Sequence, residues 1–341
     1  MIDDRRLRIL ATIVEQYTHT GEPVGSKYVA EAMGGTVSSA TVRNHMVALE
    51  EMGLLEQPHA SAGRVPTHMG YRIYIDHLMR AKPLSAEEKG EIDALFNVRN
   101  PDPDQLIREA AEALAEMTRM AAISSAVMRE DVTIRRIDII PVGIRTCVII
   151  VITSSGVIKN KVVRVEFDLS DALADFFSKF AGIRLVGRTV SYITQSYINS
   201  LSVVLGDYGR LFSPVLAGIL ELVQEINEGQ FYTGGTSNLL GYSELHSLAY
   251  DLLNFLENRT ELIRLLSGTV GATSVIIGPE SGMGELTDSS IMLTRYPIGN
   301  AGLGMVGLIG PVRMDYAKLL PHLEYFAQTL GRLLTEAYGD E

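Results

Sequence analysis

The sequence of 341 residues contains a single cysteine, Cys147, and no tryptophan. One cysteine excludes a disulfide within the chain and leaves no thiolate cluster to hold a metal ion. Because Cys147 lies in the apolar run 147–152, we interpret it as a small buried hydrophobic side chain. The sequence also lacks both the run of about 20 apolar residues that a membrane-spanning helix needs and the apolar region of a signal peptide. We therefore expect a cytoplasmic protein with no membrane partner.

An excess of positive charge is absent too, since 30 basic side chains face 41 acidic ones and the formal net charge is −11. The acidity lies mainly beyond residue 80. Residues 1–80 hold 8 Lys or Arg and 9 Asp or Glu, whereas the remainder holds 22 and 32. The stretches 32–49 and 57–75 contain no carboxylate at all. Local potential governs phosphate binding more than net charge does, so the N-terminal part remains suited to nucleic acid.

The pattern of residues 3–52 predicts three short helices. Apolar residues recur at helical spacing from Asp3 to Tyr17, and Ser26 is a good N-cap for a second helix. Ser38 is expected to cap a third helix that runs to about Met52. Glycine- and proline-containing turns separate the three, as in a helix-turn-helix.

The third helix has the pattern of a DNA-reading helix. Val42, Met46 and Leu49 define its buried side, so Arg43 and Asn44 must lie on the opposite side among small residues. Small residues let a helix approach the major groove, where Asn and Arg pair bidentately with adenine and guanine edges. An ordinary solvated helix would more often carry Glu and Lys there.

A hairpin is predicted directly after this helix. Residues 54–57 and 64–66 form the two strands, and the loop 58–63 joins them. Arg64 is expected at the tip, within reach of the minor groove or its phosphates. Thr67 can cap a further helix that packs back on the domain. Three helices and a hairpin in this order predict a winged helix-turn-helix.

Helical and strand patterns alternate beyond residue 82. Helices are predicted at 85–97, from 103 to about 124, over 170–231 and at 314–338. Strands are predicted at 134–142, 147–153, 157–167, 273–278, 290–296 and 304–310. A sheet begun early and finished late implies an insertion, because one sheet must be completed for its core to be buried. We therefore expect a multidomain α+β fold with an antiparallel sheet and an inserted, mainly helical module.

The apolar helices of this module allow two interpretations. The stripe formed by Leu216, Ile219, Leu220 and Val223 could be the pairing surface of a homodimer or ordinary internal core, since both look alike in sequence. A homodimer is expected on separate grounds. One recognition helix with its wing covers only a few base pairs, and two-fold pairing doubles that contact.

Signals for chemistry are weak. Residues 302–307 spell GxGxxG, but a strand is predicted to run through them, whereas a dinucleotide site needs a strand before the motif and a helix beginning within it. The histidines of the first domain are not spaced as ligand pairs. No nucleophile elbow, metalloprotease helix or paired-carboxylate motif is present. We expect no catalytic residues, no cofactor and no metal.

Four segments resemble one known family, the heat-inducible transcription repressor HrcA. They are residues 20–26 (TGEPVGS), 38–44 (SSATVRN), 53–67 (GLLEQPHASAGRVPT) and 309–316 (IGPVRMDY). The resemblance implies a winged-helix domain over 1–82, a GAF-like domain over 83–168 and 236–341, and an inserted dimerising domain over 169–235. It also implies repression of chaperone genes through an inverted-repeat operator, with a GroE-type chaperonin as partner.

The pattern and the resemblance together give a set of expected DNA contacts. The set comprises Lys27, Ser38, Ser39, Thr41, Arg43, Asn44, His59, Arg64 and Arg72. An alternative function is a winged-helix regulator whose GAF-like domain senses a metabolite. A third, an enzyme with an appended DNA-binding domain, lacks any catalytic constellation.

Overall fold

The computed structural model describes residues 3–96, 102–128, 131–267, 269, 271–299 and 302–338. The N-terminal elements are α1 (Asp4–Thr20), α2 (Ser26–Ala32), α3 (Ser39–Glu51), β1 (Leu55–Glu56), β2 (Val65–Pro66) and α4 (His68–Ile73), which continues as a π-helical turn Tyr74–Leu78. The strands β1 and β2 pair antiparallel. The predicted winged helix-turn-helix is confirmed.

The elements of the remaining chain follow in this order. They are α5 (Ala86–Leu95), α6 (Pro103–Thr118), β3 (Ala121–Met128), β4 (Ile134–Gly143), β5 (Thr146–Thr153), β6 (Ile158–Arg164), α7 (Asp171–Leu185), α8 (Gln195–Val204), α9 (Asp207–Leu211), α10 (Ser213–Glu228), β7 (Gln230–Gly234), α11 (Ala249–Glu257), α12 (Arg259–Ser267), β8 (Thr273–Ile277), β9 (Ser289–Ile298), β10 (Gly302–Pro311) and α13 (Tyr316–Tyr338). Short 3-10 turns lie between several of them. No helix within the described ranges has the length and hydropathy that a membrane span requires.

Capping side chains fix the residues at which the N-terminal helices α1 and α3 begin. The side chain of Asp3 accepts a hydrogen bond from the Arg6 N–H at the start of α1, and Ser38 does the same for the Thr41 N–H at the start of α3. Each bond satisfies a backbone donor that the helix itself cannot pair. The buried side of α3 is the predicted one and packs against α1. The helix therefore has one fixed face and one free face.

Five antiparallel strands form the larger sheet, in the order β7-β3-β10-β9-β8. One face of this sheet packs on α6 and α13, where Phe326 and Leu330 are fully buried. The other face packs on α11 and α12. Because both faces are covered, the inner strands β3, β10 and β9 bury side chains in both directions, whereas the edge strands β7 and β8 are mostly half-buried.

A separate three-stranded sheet, β4-β5-β6, corrects one expectation. We expected residues 134–167 to begin the sheet that ends the chain. The structure instead packs β4–β6 against α7–α10 in a core of their own, which reaches from Val132 to Ile226. The packing unit is therefore larger than the expected insertion 169–235, because the strands bury their apolar face on its helices and not on the later strands.

The strand that begins the larger sheet is β3, where the sequence pattern predicted the end of a helix. Its residues, AAISSAVM, include few of the β-branched and aromatic side chains typical of strands. These small residues lie between β7 and β10, and the side chains of residues 121–126 are all buried. The strand β7 was likewise missed, at the end of the long helical stretch.

The GxGxxG motif lies within β10, as the strand prediction required. A Cβ atom at Gly304 would lie 2.1 Å from the Tyr296 ring, and one at Gly307 would lie 2.4 Å from Leu293 Cδ2. These glycines therefore admit large side chains of the neighbouring strand β9.

Gly70 offers a test of the winged-helix packing. A Cβ atom there would lie 2.2 Å from the Leu54 carbonyl oxygen, so Gly70→Ala forces α4 away from the hairpin. We expect the domain to lose roughly 1–3 kcal/mol, as overpacked cores do. Scanning calorimetry of the full chain should show a lower midpoint temperature for the unfolding of this domain.

Gly90→Ala is the matched control, because nothing lies within 4 Å of a Cβ atom at that exposed position in α5. It should stabilise its helix by about 0.5–1 kcal/mol. Equal melting curves for the two variants would contradict the proposed clash.

Candidate nucleic-acid interface

The outward face of α3 presents Arg43 and Asn44. Both side chains are exposed, and neither makes a hydrogen bond or ion pair with the residues that the structure describes. Their neighbours on this face are Ala40 and Val47, and Val47 is 40% exposed. An Arg and an Asn beside small apolar groups form a surface that can enter a major groove and pair with base edges.

Three hydroxyl residues at the start of α3 are already engaged within the domain. Ser38 caps the helix through the Thr41 N–H at 3.1 Å, and its Oγ lies 2.9 Å from Thr41 Oγ1. Ser39 Oγ lies 2.9 Å from Ser26 Oγ, which joins the starts of α3 and α2. These contacts assign the hydroxyl groups a role in positioning α3. Each of these hydroxyl groups could contact DNA only by making a second hydrogen bond in addition to the one within the domain.

The wing loop is closed by its own polar contacts. Gln57 Nε2 donates to the carbonyl oxygens of Ala60 and Ala62, at 3.1 and 3.0 Å. At the other end, a Cβ atom at Gly63 would lie 2.4 Å from the Val24 carbonyl, so only glycine allows this approach. His59 lies in the closed loop and is exposed, which leaves its imidazole accessible to a phosphate.

Arg64 is not at the tip of the wing, where we expected it. Its backbone pairs with Val24 at the base of the loop, and its guanidinium binds Glu50 of α3. The Nε–Oε2 distance is 3.0 Å and the Nη2–Oε2 distance is 2.8 Å, with the Arg64 side chain only 13% exposed. The pair ties the wing to α3 and neutralises a carboxylate on the helix that presents Arg43 and Asn44. Glu50 is therefore a candidate functional residue that the sequence analysis missed.

Arg64→Ala provides a test of this correction. We expect weaker binding to every DNA sequence, because the freed Glu50 carboxylate repels phosphate, together with a loss of stability of about 1 kcal/mol or less. Glu50→Gln in the same chain should restore affinity. Filter binding over a range of salt concentrations is the measurement.

A direct phosphate contact by Arg64 would give a different result. A plot of log binding constant against log salt concentration would then have a negative slope that is smaller in size by about 0.9 in Arg64→Ala. Glu50→Gln would not rescue binding.

Arg72 also differs from its expected role as a DNA contact. Its Nε donates to Glu280 Oε1 at 2.8 Å, its Nη2 donates to Glu280 Oε2 and to the Val275 carbonyl oxygen, and its Nη1 lies 3.2 Å from Asp76. Glu280 and Val275 belong to the C-terminal part of the chain. Its donors are engaged there, so Arg72 faces the C-terminal part.

Lys27 on α2 is exposed, as a phosphate contact should be. Its neighbour Tyr28 is 42% exposed and was not anticipated. The sequence signal that could have indicated Tyr28 was an aromatic residue next to a lysine on a short predicted surface helix. Since a tyrosine hydroxyl can donate to a phosphate oxygen, Tyr28 joins Lys27 as a candidate backbone contact.

Two parts of this chain match the domain descriptions of one protein family. Residues 2–78 match the family described as "Winged helix-turn-helix transcription repressor, HrcA DNA-binding", and residues 104–320 match "HrcA protein C terminal domain".

Known relatives are similar to this chain over almost its full length. The chain is 35% identical to the heat-inducible transcription repressor HrcA of Clostridium perfringens, over 98% of this chain and 99% of that protein. It is 34% identical to the protein of the same name from Symbiobacterium thermophilum, with the same coverage. A crystal structure of a hypothetical protein superposes with a TM-score of 0.67 at 25% identity, covering 99% of this chain and all of the other.

Proposed function

The chain belongs to the HrcA family of heat-inducible transcription repressors, and on that premise we propose that it binds an inverted-repeat operator as a homodimer. The observation that carries the proposal is the exposed pair Arg43 and Asn44 on the free face of α3, to which the described part of the chain offers no polar partner. The match favours repression over the alternative of metabolite sensing.

Base reading is assigned to α3 and backbone contacts to the elements around it. Arg43 and Asn44 read base edges, while Lys27, Tyr28 and His59 are exposed where they can meet phosphates. Ser38, Ser39 and Thr41 hold the helix start in place, and the Arg64–Glu50 pair fixes the wing beside it. Rigid support of this kind is what a base-reading side chain needs to reach one register on the duplex.

We assign the pairing surface to α7–α9. The stripe on α10 is internal core, since Leu216, Ile219, Leu220 and Val223 are all buried. By contrast, Ile183 on α7 is 81% exposed and Val203 on α8 is 80% exposed. The side chains of Phe176 and Tyr208, both exposed, lie together with ring centroids 5.9 Å apart. Exposed apolar groups of this density are typical of a surface that another protein covers.

A second copy of the chain is the occupant that operator symmetry requires. An isologous contact between two copies places two recognition helices about a two-fold axis, and an inverted repeat has the same symmetry.

The larger sheet with its helices is proposed as the GAF-like domain, and residues 132–228 as the dimerising insertion. We further propose chaperone genes as targets, a GroE-type chaperonin as partner and the cytoplasm as location. Binding of purified chaperonin to the full chain, measured by calorimetry, tests the partner.

A salt-dependent gel-shift titration tests the DNA function. The probe is the promoter region upstream of the chain's own gene, with random DNA as competitor. We expect specific binding at least about 10³-fold tighter than random binding, with two copies of the chain per fragment. Equal affinity for promoter and random DNA would refute the proposal.

A further inference from the structure

Arg72 and Glu280 join the winged-helix domain to the C-terminal part of the chain. Arg72 lies in α4, and Glu280 lies in the turn Gly278–Ser281 directly after β8. Two guanidinium nitrogens meet the two carboxylate oxygens. This bidentate geometry fixes orientation as well as distance, because the planar guanidinium must align with the carboxylate.

Both partners are themselves held in place. Arg72 Nη2 also donates to the Val275 carbonyl oxygen at 2.7 Å, on the edge strand β8. Glu280 accepts a hydrogen bond of 2.9 Å from the Ile277 N–H. Burial tends to raise the pKa of Glu280, but the bonds from Arg72 and Ile277 hold that pKa below its usual value. The carboxylate therefore stays ionised at neutral pH.

One close approach and one hydrogen bond lie on the same boundary. Arg313, ion-paired to Glu244, lies under Gly21 at the end of α1, where a Cβ atom would be 3.5 Å from Arg313 Cζ. Beyond the π-helical turn, the Lys82 N–H donates to the Ala317 carbonyl oxygen at 3.0 Å. Arg313 beside the end of α1, the Arg72–Glu280 pair at α4 and the Lys82–Ala317 hydrogen bond after the π-helical turn give three separate points. Three points define the orientation of one body on another.

The Arg72–Glu280 pair is the polar contact of this boundary with the strictest geometry. The side chains are 24% and 39% exposed, so the pair is partly shielded from water. The adjacent Tyr71 packs edge-on against Tyr316 at 6.1 Å between ring centroids. Ionic and aromatic contacts thus act at one place on α4.

We propose that Arg72 is a positioning residue: by binding Glu280 it fixes the angle of the winged-helix domain and so selects the operator half-site spacing. The inference rests on the proposed homodimer. In a symmetric pair, the distance between recognition helices must match a separation of about 34–36 Å per helical turn of DNA. A domain free to rotate would accept several spacings.

The test uses the full chain and synthetic DNA. Each fragment carries two copies of the half-site that the wild-type protein selects from random-sequence DNA, with the spacer changed in single base-pair steps. The variants are Arg72→Gln, Glu280→Gln and the charge swap Arg72→Glu with Glu280→Arg. Arg332→Gln is the matched control, because its ion pair with Glu336 lies within one helix and is exposed.

The expected result is a loss of spacing preference without a loss of half-site binding. In Arg72→Gln and Glu280→Gln, affinity for the preferred spacing should fall about tenfold, a size typical of coupled contacts. Affinity for other spacings, for a single half-site and for random DNA should stay unchanged. The charge swap should restore part of the preference, because it regains the ion pair but not the hydrogen bonds with Val275 and Ile277, and Arg332→Gln should behave as wild type.

Two results would overturn the proposal while leaving the repressor function intact. One is an unchanged spacing preference in Arg72→Gln. The other is a uniform loss on all DNA with a salt slope smaller by about one, which would make Arg72 a phosphate contact. If the wild-type protein bound a single half-site as tightly as paired half-sites, the homodimer function itself would fail, and the inference with it.

Discussion

Ile183→Asp is expected to separate the homodimer and to weaken operator binding by about 2–5 kcal/mol. This is half of the free energy by which specific DNA binding typically exceeds non-specific binding. Ile183 is 81% exposed on α7, so the aspartate costs the single chain little. In the pair it would place a charge in an apolar contact, where desolvation is expensive. Separated copies bring one recognition helix each and lose the second half-site.

Sedimentation velocity and a gel shift on the same samples measure both effects. Gln224→Asp, at an exposed position of α10 in the same packing unit, is the control and should leave assembly and affinity unchanged. A variant that remains dimeric and binds the operator normally would place the pairing surface elsewhere. A monomeric variant with full affinity would refute two-fold operator binding.

Arg43→Ala and Asn44→Ala are each expected to cost about 1–3 kcal/mol of specific operator binding. Each removes a side chain that can pair bidentately with a base, and neither side chain supports the fold through a polar contact in the described structure. The melting temperature should therefore stay near that of the wild type. Affinity for random DNA should change little, especially for Asn44→Ala, which alters no charge.

Operator and random fragments compared at one salt concentration provide the measurement. Arg80→Ala is the control, because Arg80 is an exposed arginine beyond the recognition helix and the wing. An equal loss on operator and random DNA would contradict base reading by Arg43 or Asn44. A loss confined to the operator, with one base position relaxed, would identify the base that each side chain reads.

Hydrophobic spacing and capping residues predicted the order of helices and strands in the winged-helix domain. The buried side of α3 follows from Val42, Met46 and Leu49, which recur at one face of a 3.6-residue period. Ser38 and Thr67 cap the helices that they were expected to cap, whereas Ser26 is the first residue of α2, follows the N-cap Gly25 and makes no capping hydrogen bond. Such signals are local, since donor and acceptor lie within four residues, and they act in the same way in any helix.

The assignment of strands to sheets depended on contacts that the pattern does not encode. The strand β3 has the composition of a helix end and is a strand because β7 and β10 pair with both of its edges. The strands β4–β6 were recognised as strands but assigned to the wrong sheet. Period-two alternation gives a strand its apolar face, and the tertiary packing alone decides which helices cover that face.

The sequence by itself determined the winged helix-turn-helix and the free face of α3, because both arise from neighbours in the chain. The tertiary structure decided what the other basic residues do. Arg64 binds a carboxylate 14 residues away, and Arg72 binds one 208 residues away. An arginine pairs with whichever anion the fold brings within reach, and its position in the chain does not specify that anion.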